Sequence, residues 1–69
     1  MKSVFVRYEI KDNVRRCNNV EICNIKHASD ILDIPDDKVD DKDFIERELI
    51  KMYGFIKEYI IIKYIRLWQ

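Results

Sequence analysis

The sequence predicts a small α+β domain in which a three-stranded, mainly antiparallel sheet carries helices on one face. Three observations lead to this prediction: an alternating N-terminal segment, an amphipathic helix that ends at the single glycine, and a C-terminal run rich in β-branched and aromatic residues. The 69 residues match one domain, 1–69. A core of this size supplies only about 3–5 kcal/mol of net stability, so support from a partner chain or a second copy is plausible.

The N-terminal strand is predicted for residues 3–11, where apolar and polar side chains alternate. The apolar side chains on one face are Val4, Val6, Tyr8 and Ile10. A period of two is typical of a strand with one buried face. The Asp-Asn pair at 12–13 predicts a turn, after which a second strand returns through residues 14–23. The Asn-Asn pair at 18–19 indicates a bulge or a longer hairpin loop.

A short helix is predicted for residues 24–34, because the apolar period changes there. Its apolar face is formed by Ile25, Ala28, Ile31 and Leu32. Asn24 or Ser29 would cap the N-terminus through a side-chain oxygen. Pro35 disfavours helical geometry at the preceding residue and ends the helix. Residues 36–41 are then predicted to form a charged loop.

The main helix is predicted to begin at a cap formed by Asp40 or Asp41 and to end at Gly54. Two further carboxylates favour the positive N-terminal end of the helix, those of Asp43 and Glu46. The stripe expected to face the core consists of Ile45, Leu49, Met52 and Tyr53. Glycine at this place favours a left-handed stop in which Ile50 and Phe55 touch.

The last strand is predicted for residues 57–68. One face carries Ile60, Ile62, Tyr64 and Trp68, and the other carries Tyr59, Ile61, Ile65 and Leu67. Because both faces are largely apolar, the strand is expected to be central in the sheet or covered on its outer face. The alternative is a helix that continues through residue 67, which would place Gly54 in a helix interior at a cost of roughly 1 kcal/mol.

Charge is unevenly distributed in this chain of zero formal net charge. Residues 29–48 hold nine acidic and three basic side chains, a balance of −6, whereas 1–28 and 49–69 each have a balance of +3. Such a segment is typical of a solvated loop and of helix N-terminal charge, or of an acidic surface that docks on a basic partner. The predicted partner-binding residues are Asp33, Asp36, Asp37, Asp40, Asp41, Asp43 and Glu46.

No catalytic, cofactor or metal site is predicted, and the protein is not expected to be an enzyme. Cys17, Cys23, His27 and Asp30 lack the short, regular ligand pairs of zinc sites. One histidine without a nucleophile turn does not support thiol hydrolase chemistry. The aspartate-rich segment fails the calcium-loop pattern, since the position that requires glycine is occupied by Lys42.

Two alternative functions remain open. A nucleic-acid-binding hairpin would use the basic and aromatic residues Phe5, Arg7, Tyr8, Lys11, Arg15 and Arg16. Against it stand the zero net charge and the lack of a dense basic stripe. A homodimer would pair through the C-terminal strand, with Tyr59, Tyr64 and Trp68 at the contact.

A membrane location is not predicted, because the longest uncharged apolar run has only four residues, 59–62. The N-terminus is charged and lacks the apolar centre of a signal peptide. Two oddly spaced cysteines agree with a reducing compartment. The expected location is therefore the cytoplasm.

Four stretches characterise the layout: the N-terminal strand SVFVRYEIKDN, the helix-forming HASDILDI, the acidic DIPDDKVDDKD and the terminal strand EYIIIKYIRLWQ. In size and layout this chain resembles the small inhibitors that bacteriophages and mobile elements encode against host defences, the anti-CRISPR proteins in particular. The resemblance implies a protein that acts without catalysis by occupying a nucleic-acid-binding or partner-binding surface of its target. The expected function is a phage-type inhibitor whose acidic surface engages a basic surface of a host protein.

Overall fold

A computed structural model describes residues 1–68 and shows a three-stranded antiparallel sheet with one α-helix on one face. The elements are β1 (Lys2–Cys17), β2 (Val20–Ile34), α1 (Lys42–Tyr53) and β3 (Ile60–Leu67), with 3-10 turns at Asp36–Lys38 and Lys57–Tyr59. The strand order is β2-β1-β3, so the first strand is central. The α+β class and the three-stranded antiparallel sheet are confirmed.

The short helix predicted for residues 24–34 is wrong, because this segment belongs to β2. Leu32 and Ile34 alternate with exposed neighbours and are buried, whereas Ile25 and Ile31 are exposed on the opposite face. The apolar spacing fits both periods over so few residues. This segment pairs with β1, and the pairing satisfies the backbone N–H and C=O groups of both strands. It therefore forms a strand and not a helix.

The hairpin turn lies at Asn18 and Asn19, not at 12–13 as predicted. Both asparagines have left-handed backbone angles, with φ of 53° and 64°, and Cys17 pairs directly with Val20. Two successive positive φ values are typical of the two-residue turns that match the twist of a hairpin. The pair at 12–13 instead begins a bulge in which Asn13 has a φ of 53°. The predicted first strand therefore continues to Cys17.

The core lies between α1 and the inner face of the sheet. It consists of Val4, Val6, Tyr8, Leu32, Ile34, Ile45, Leu49, Ile60 and Ile62. The helix contributes only Ile45 and Leu49, both fully buried. Met52 and Tyr53, predicted to continue this stripe, are about half exposed, because the covered part of the sheet ends near the last helical turn.

The structure has α1 begin and end at residues that were predicted to cap it, Asp41 and Gly54. Of the two predicted caps, Asp41 is the one used: its Oδ1 accepts a hydrogen bond from the Phe44 N–H at 3.0 Å. At the other end Gly54 has a φ of +72°, and its N–H donates to the Ile50 carbonyl at 2.7 Å. A single bond of this kind defines the simple left-handed stop.

Replacing Gly54 with alanine is expected to destabilise the protein by about 1–2 kcal/mol. No atom lies within 4 Å of the position that a Cβ would take, so the cost comes from the left-handed backbone alone. Urea unfolding checks this value, and Gly54→Asn should recover part of the loss because asparagine tolerates this conformation. An alanine variant as stable as the parent would contradict the assigned helix stop.

β3 is shorter than predicted and lies at an edge of the sheet, not at its centre. The alternative of a helix continuing through residue 67 is also wrong. A bulge at Lys63 shifts the register, since Arg7 pairs with Tyr64 and Tyr8 pairs with Ile62. Ile60, Ile62 and Ile65 therefore face inward. Tyr64, predicted to share the face of Ile60 and Ile62, points to the outer face.

The molecule is elongated, with extents of 46 × 17 × 16 Å. β3 pairs only with the Val4–Ile10 part of β1, so residues 11–25 project beyond the core as a two-stranded ribbon, the hairpin arm. The β2–α1 connection lies at the opposite end, where Lys2 pairs with Ile34. No helix within residues 1–68 has the length and apolar character needed to cross a bilayer.

Candidate functional site

The seven predicted acidic residues lie in the segment from the end of β2 to the second turn of α1, which we call the acidic end. It comprises Asp33, Asp36, Asp37, Asp40, Asp41, Asp43 and Glu46. The end of β2, the 3-10 turn and the first turns of α1 follow one another here within a short stretch of chain. Asp33 and Asp36 lie opposite the hairpin arm, since they contact Ser3 and the N-terminus, whereas Asp43 and Glu46 line a groove with Lys57.

Three of these carboxylates are used within the molecule. Asp33 accepts a hydrogen bond from the Ser3 hydroxyl at 3.1 Å, and Asp36 lies 3.3 Å from the N-terminal ammonium group. Asp41 caps α1 and also lies 3.9 Å from Lys38 Nζ. Asp41 therefore stabilises the start of α1, and its substitution would disturb the helix.

The remaining carboxylates have no ion pair within residues 1–68. Asp37, Asp40 and Asp43 are exposed, whereas Glu46 is half-buried. Glu46 and Asp43 line a shallow groove together with Arg47 and Lys57, which places positive charge beside them. The three exposed aspartates thus form no salt bridge within residues 1–68, but Asp43 has two cations beside it.

A second candidate surface is the sheet face that α1 leaves uncovered, which we call the outer sheet face. Its principal side chains are Phe5, Arg7, Ile31, Tyr64, Arg66 and Trp68. The rings of Phe5 and Trp68 are stacked with centroids 5.7 Å apart. The Tyr64 ring meets Phe5 edge-on at 6.4 Å. Trp68 is held beside β1 because its backbone N–H donates to the Ser3 backbone carbonyl at 2.9 Å.

Two arginines lie over these rings. The guanidinium carbon of Arg66 is 5.5 Å from the Phe5 ring centroid and 5.6 Å from that of Trp68. Arg7 lies 5.8 Å from the centre of Tyr64. Distances below about 6 Å allow a cation–π attraction. The outer sheet face thus combines three aromatic rings with two cations in one contiguous patch.

Asp30 forms a polar junction on the inner face, between the sheet and the end of α1. Its carboxylate accepts hydrogen bonds from the Tyr8 hydroxyl at 2.6 Å and from the Tyr53 hydroxyl at 2.8 Å. Burial, followed by this hydrogen bond, raises the pKa of Tyr8. The hydrogen bond to Asp30 is the main cause that raises the pKa of Tyr53. This junction ties β1, β2 and α1 together, with one tyrosine hydroxyl on each carboxylate oxygen of Asp30.

The residues of the predicted nucleic-acid-binding hairpin are separated by the fold. Tyr8 is buried against α1 and cannot stack on a base, whereas Phe5 and Arg7 lie on the outer sheet face. Lys11 Nζ contacts Glu21 Oε1 at 2.8 Å, and this contact raises the pKa of Lys11 and lowers that of Glu21. The remaining two, Arg15 and Arg16, lie far along the hairpin arm.

The residues of the predicted homodimer contact are also separated. Tyr59 lies half-buried in the 3-10 turn before β3. Tyr64 and Trp68 are 47% and 44% exposed on the outer sheet face. The last strand therefore offers a continuous aromatic surface only on its second half.

The cysteines and the histidine do not converge. Cys17 is exposed near the tip of the hairpin arm, and Cys23 is half-buried on the opposite strand. His27 lies on β2 with its Nδ1 3.3 Å from Glu9 Oε2. Within residues 1–68 no three acidic, histidine or cysteine side chains are grouped as metal ligands would be.

The outer sheet face was not predicted from the sequence, because the residues that form it are brought together by the strand order and by one bulge. The alternation of Phe5 with Arg7 and of Tyr64 with Arg66 and Trp68 is visible in the sequence. Only the strand pairing shows that β1 and β3 are neighbours and that the bulge brings these side chains to the same face.

The chain matches no protein-family model, and neither a curated protein nor a solved structure was found to be similar to it. The resemblance to phage-encoded inhibitors stays a prediction, and the arguments for function rest on the surfaces described above.

Proposed function

We propose that this protein is a non-enzymatic inhibitor of the phage or mobile-element type, whose acidic end docks on a basic, nucleic-acid-binding surface of a host defence protein. The observation that supports this proposal is the set of exposed carboxylates on Asp37, Asp40 and Asp43, none of which forms a salt bridge within residues 1–68. Their charge is available to a partner because no internal salt bridge neutralises it.

Electrostatic complementarity gives such a contact its speed and its selectivity. Several like charges at one end of a small protein steer it toward a basic surface and raise the association rate, more so at low ionic strength. Carboxylates along a loop and a first helical turn can occupy the positions that phosphates would take on a nucleic-acid-binding partner. The acidic end would then compete directly with nucleic acid.

A charge-reversal variant tests the proposal. We expect Asp37→Lys, Asp40→Lys and Asp43→Lys in one chain to abolish capture of the partner while the fold persists, because none of these side chains caps the helix or enters the core. The measurement is quantitative mass spectrometry of proteins that the immobilised variant and the parent retain from a lysate of the source cell. Asp41 is left unchanged, since its substitution would remove the helix cap.

A matched control changes the net charge by the same amount elsewhere: Asp12→Lys, Glu21→Lys and Glu58→Lys on the hairpin arm and the second 3-10 turn. The proposal expects a nucleic-acid-binding protein that the parent and this control retain and the acidic-end variant loses. Equal retention of the same proteins by both variants would contradict it.

A further inference from the structure

We propose that the outer sheet face binds single-stranded nucleic acid, with bases stacked on Phe5, Tyr64 and Trp68 and phosphates held by Arg7 and Arg66. This goes beyond the proposed function, which uses the acidic end, and it does not rest on it. The site also differs from the hairpin interpretation of the sequence, because it excludes Tyr8, Arg15 and Arg16.

The rings form a stacking platform. Phe5 lies between the other two, 5.7 Å from Trp68 and 6.4 Å from Tyr64, so the three aromatics follow one another across β1 and β3. Nearly half of the Tyr64 and Trp68 side-chain surfaces is exposed, and no helix covers this face within residues 1–68. Unpaired bases stack on exposed aromatic side chains irrespective of their sequence.

Neither arginine of this face forms an internal salt bridge. Arg7 and Arg66 have no carboxylate within salt-bridge distance among residues 1–68. The two carboxylates on the same face have contacts of their own, since Glu9 contacts His27 at 3.3 Å and Asp33 accepts from Ser3 at 3.1 Å. The free ligand positions of the guanidinium groups therefore suit phosphate oxygens, which arginine binds in a planar, bidentate manner.

A second copy of the chain fits this face less well. A two-fold contact brings the same patch of both copies together. Such a contact would remove Arg7 and Arg66, which form no internal salt bridge, from water. Burying a charge without a partner opposes the contact. An anionic ligand with planar groups satisfies the cations and the rings together, and single-stranded nucleic acid has both features.

Single strands are favoured over duplexes. The rings lie on a broad sheet face and not on a projecting element, so they reach only bases that are splayed out of a helix. In a duplex the bases are stacked on each other, and only the two arginines would retain their contacts.

The single tryptophan of the chain provides the measurement. Titration of the full chain with oligothymidylate or oligouridylate of about ten nucleotides should quench Trp68 fluorescence, with a Kd of roughly 1–100 µM at low salt. Two neutralised phosphates predict a slope of about −1.4 for the logarithm of the binding constant against that of the salt concentration. The duplex of the same length should bind at least tenfold more weakly.

Two variants and a matched control locate the site. Arg7→Gln with Arg66→Gln, and Phe5→Leu with Tyr64→Ala, should each weaken binding by about tenfold or more. Arg15→Gln with Arg16→Gln removes the same charge from the hairpin arm and should leave affinity within about twofold of the parent. Circular dichroism of each variant verifies that the sheet persists, as expected for residues outside the buried core.

Several results would overturn the proposal. The first is an absence of quenching at strand concentrations up to about 1 mM. The second is a loss of binding in the hairpin-arm control but not in the two outer-face variants. A concentration-dependent dimer in light scattering, in which Trp68 is shielded from a soluble quencher without nucleic acid, would assign this face to self-association instead.

Discussion

Replacing Leu49 with alanine is expected to leave a large part of the protein unfolded at room temperature. The side chain is fully buried, and only Ile45 accompanies it from α1 in the core. Truncation of a buried leucine costs about 2–5 kcal/mol, because apolar burial is lost and a cavity remains. This loss approaches the total free energy of unfolding, roughly 3–5 kcal/mol, that is expected for a domain of this size.

Urea unfolding followed by circular dichroism measures the effect. Met52→Ala is the matched control, since it removes a similar volume from the same helix at a side chain that is 55% exposed. The control should change the free energy of unfolding by no more than about 0.5 kcal/mol. If Leu49→Ala and Met52→Ala were equally stable, α1 would not be packed against the sheet through Leu49.

Replacing Asp30 with alanine is expected to lower the free energy of unfolding by about 1–3 kcal/mol, although Asp30 is a charged residue at the rim of the core. Its carboxylate accepts from the hydroxyls of Tyr8 and Tyr53, and the Tyr8 side chain is only 2% exposed. Without the carboxylate, the Tyr8 hydroxyl keeps its burial and loses its acceptor. For a chain of this length the loss corresponds to a melting temperature lowered by roughly 4–8 °C per kcal/mol.

The matched control is Asp33→Ala, the same change on the same strand at a carboxylate whose contact with Ser3 is exposed. It should shift the melting temperature far less than Asp30→Ala. Asp30→Asn retains one oxygen acceptor, so its melting temperature should lie between those of Asp30→Ala and Asp33→Ala. Equal melting temperatures for the two alanine variants would contradict the role of Asp30 as a junction.

Alkaline pH gives a second measurement of the same junction. Burial and the hydrogen bond to Asp30 raise the pKa of Tyr8 in the folded protein. An unfolded tyrosine ionises near pH 10. Above about pH 10 the unfolded chain therefore releases a proton that the folded protein retains, and stability falls as the pH rises. In Asp30→Ala the contribution of Asp30 to this pKa is lost while that of burial remains, so unfolding midpoints measured between about pH 9 and 11 should decline less steeply.

The elements that were correctly predicted depend on short-range chemistry. Asp41 caps α1 through a residue three positions away, and Gly54 ends it through a bond to Ile50. The alternation of Val4, Val6 and Tyr8 needs no knowledge of the neighbouring strands.

What only the tertiary structure decided depends on pairing between distant segments. Residues 24–34 satisfy either apolar period, and pairing with β1 makes them a strand. The bulge at Lys63 turns Tyr64 outward, which gathers the outer sheet face from residues about sixty positions apart in the sequence. Asp30 likewise meets its tyrosines across separations of 22 and 23 residues. Local sequence sets the ends of the helix and the faces of a strand, but the register between strands is a cooperative property of the whole sheet.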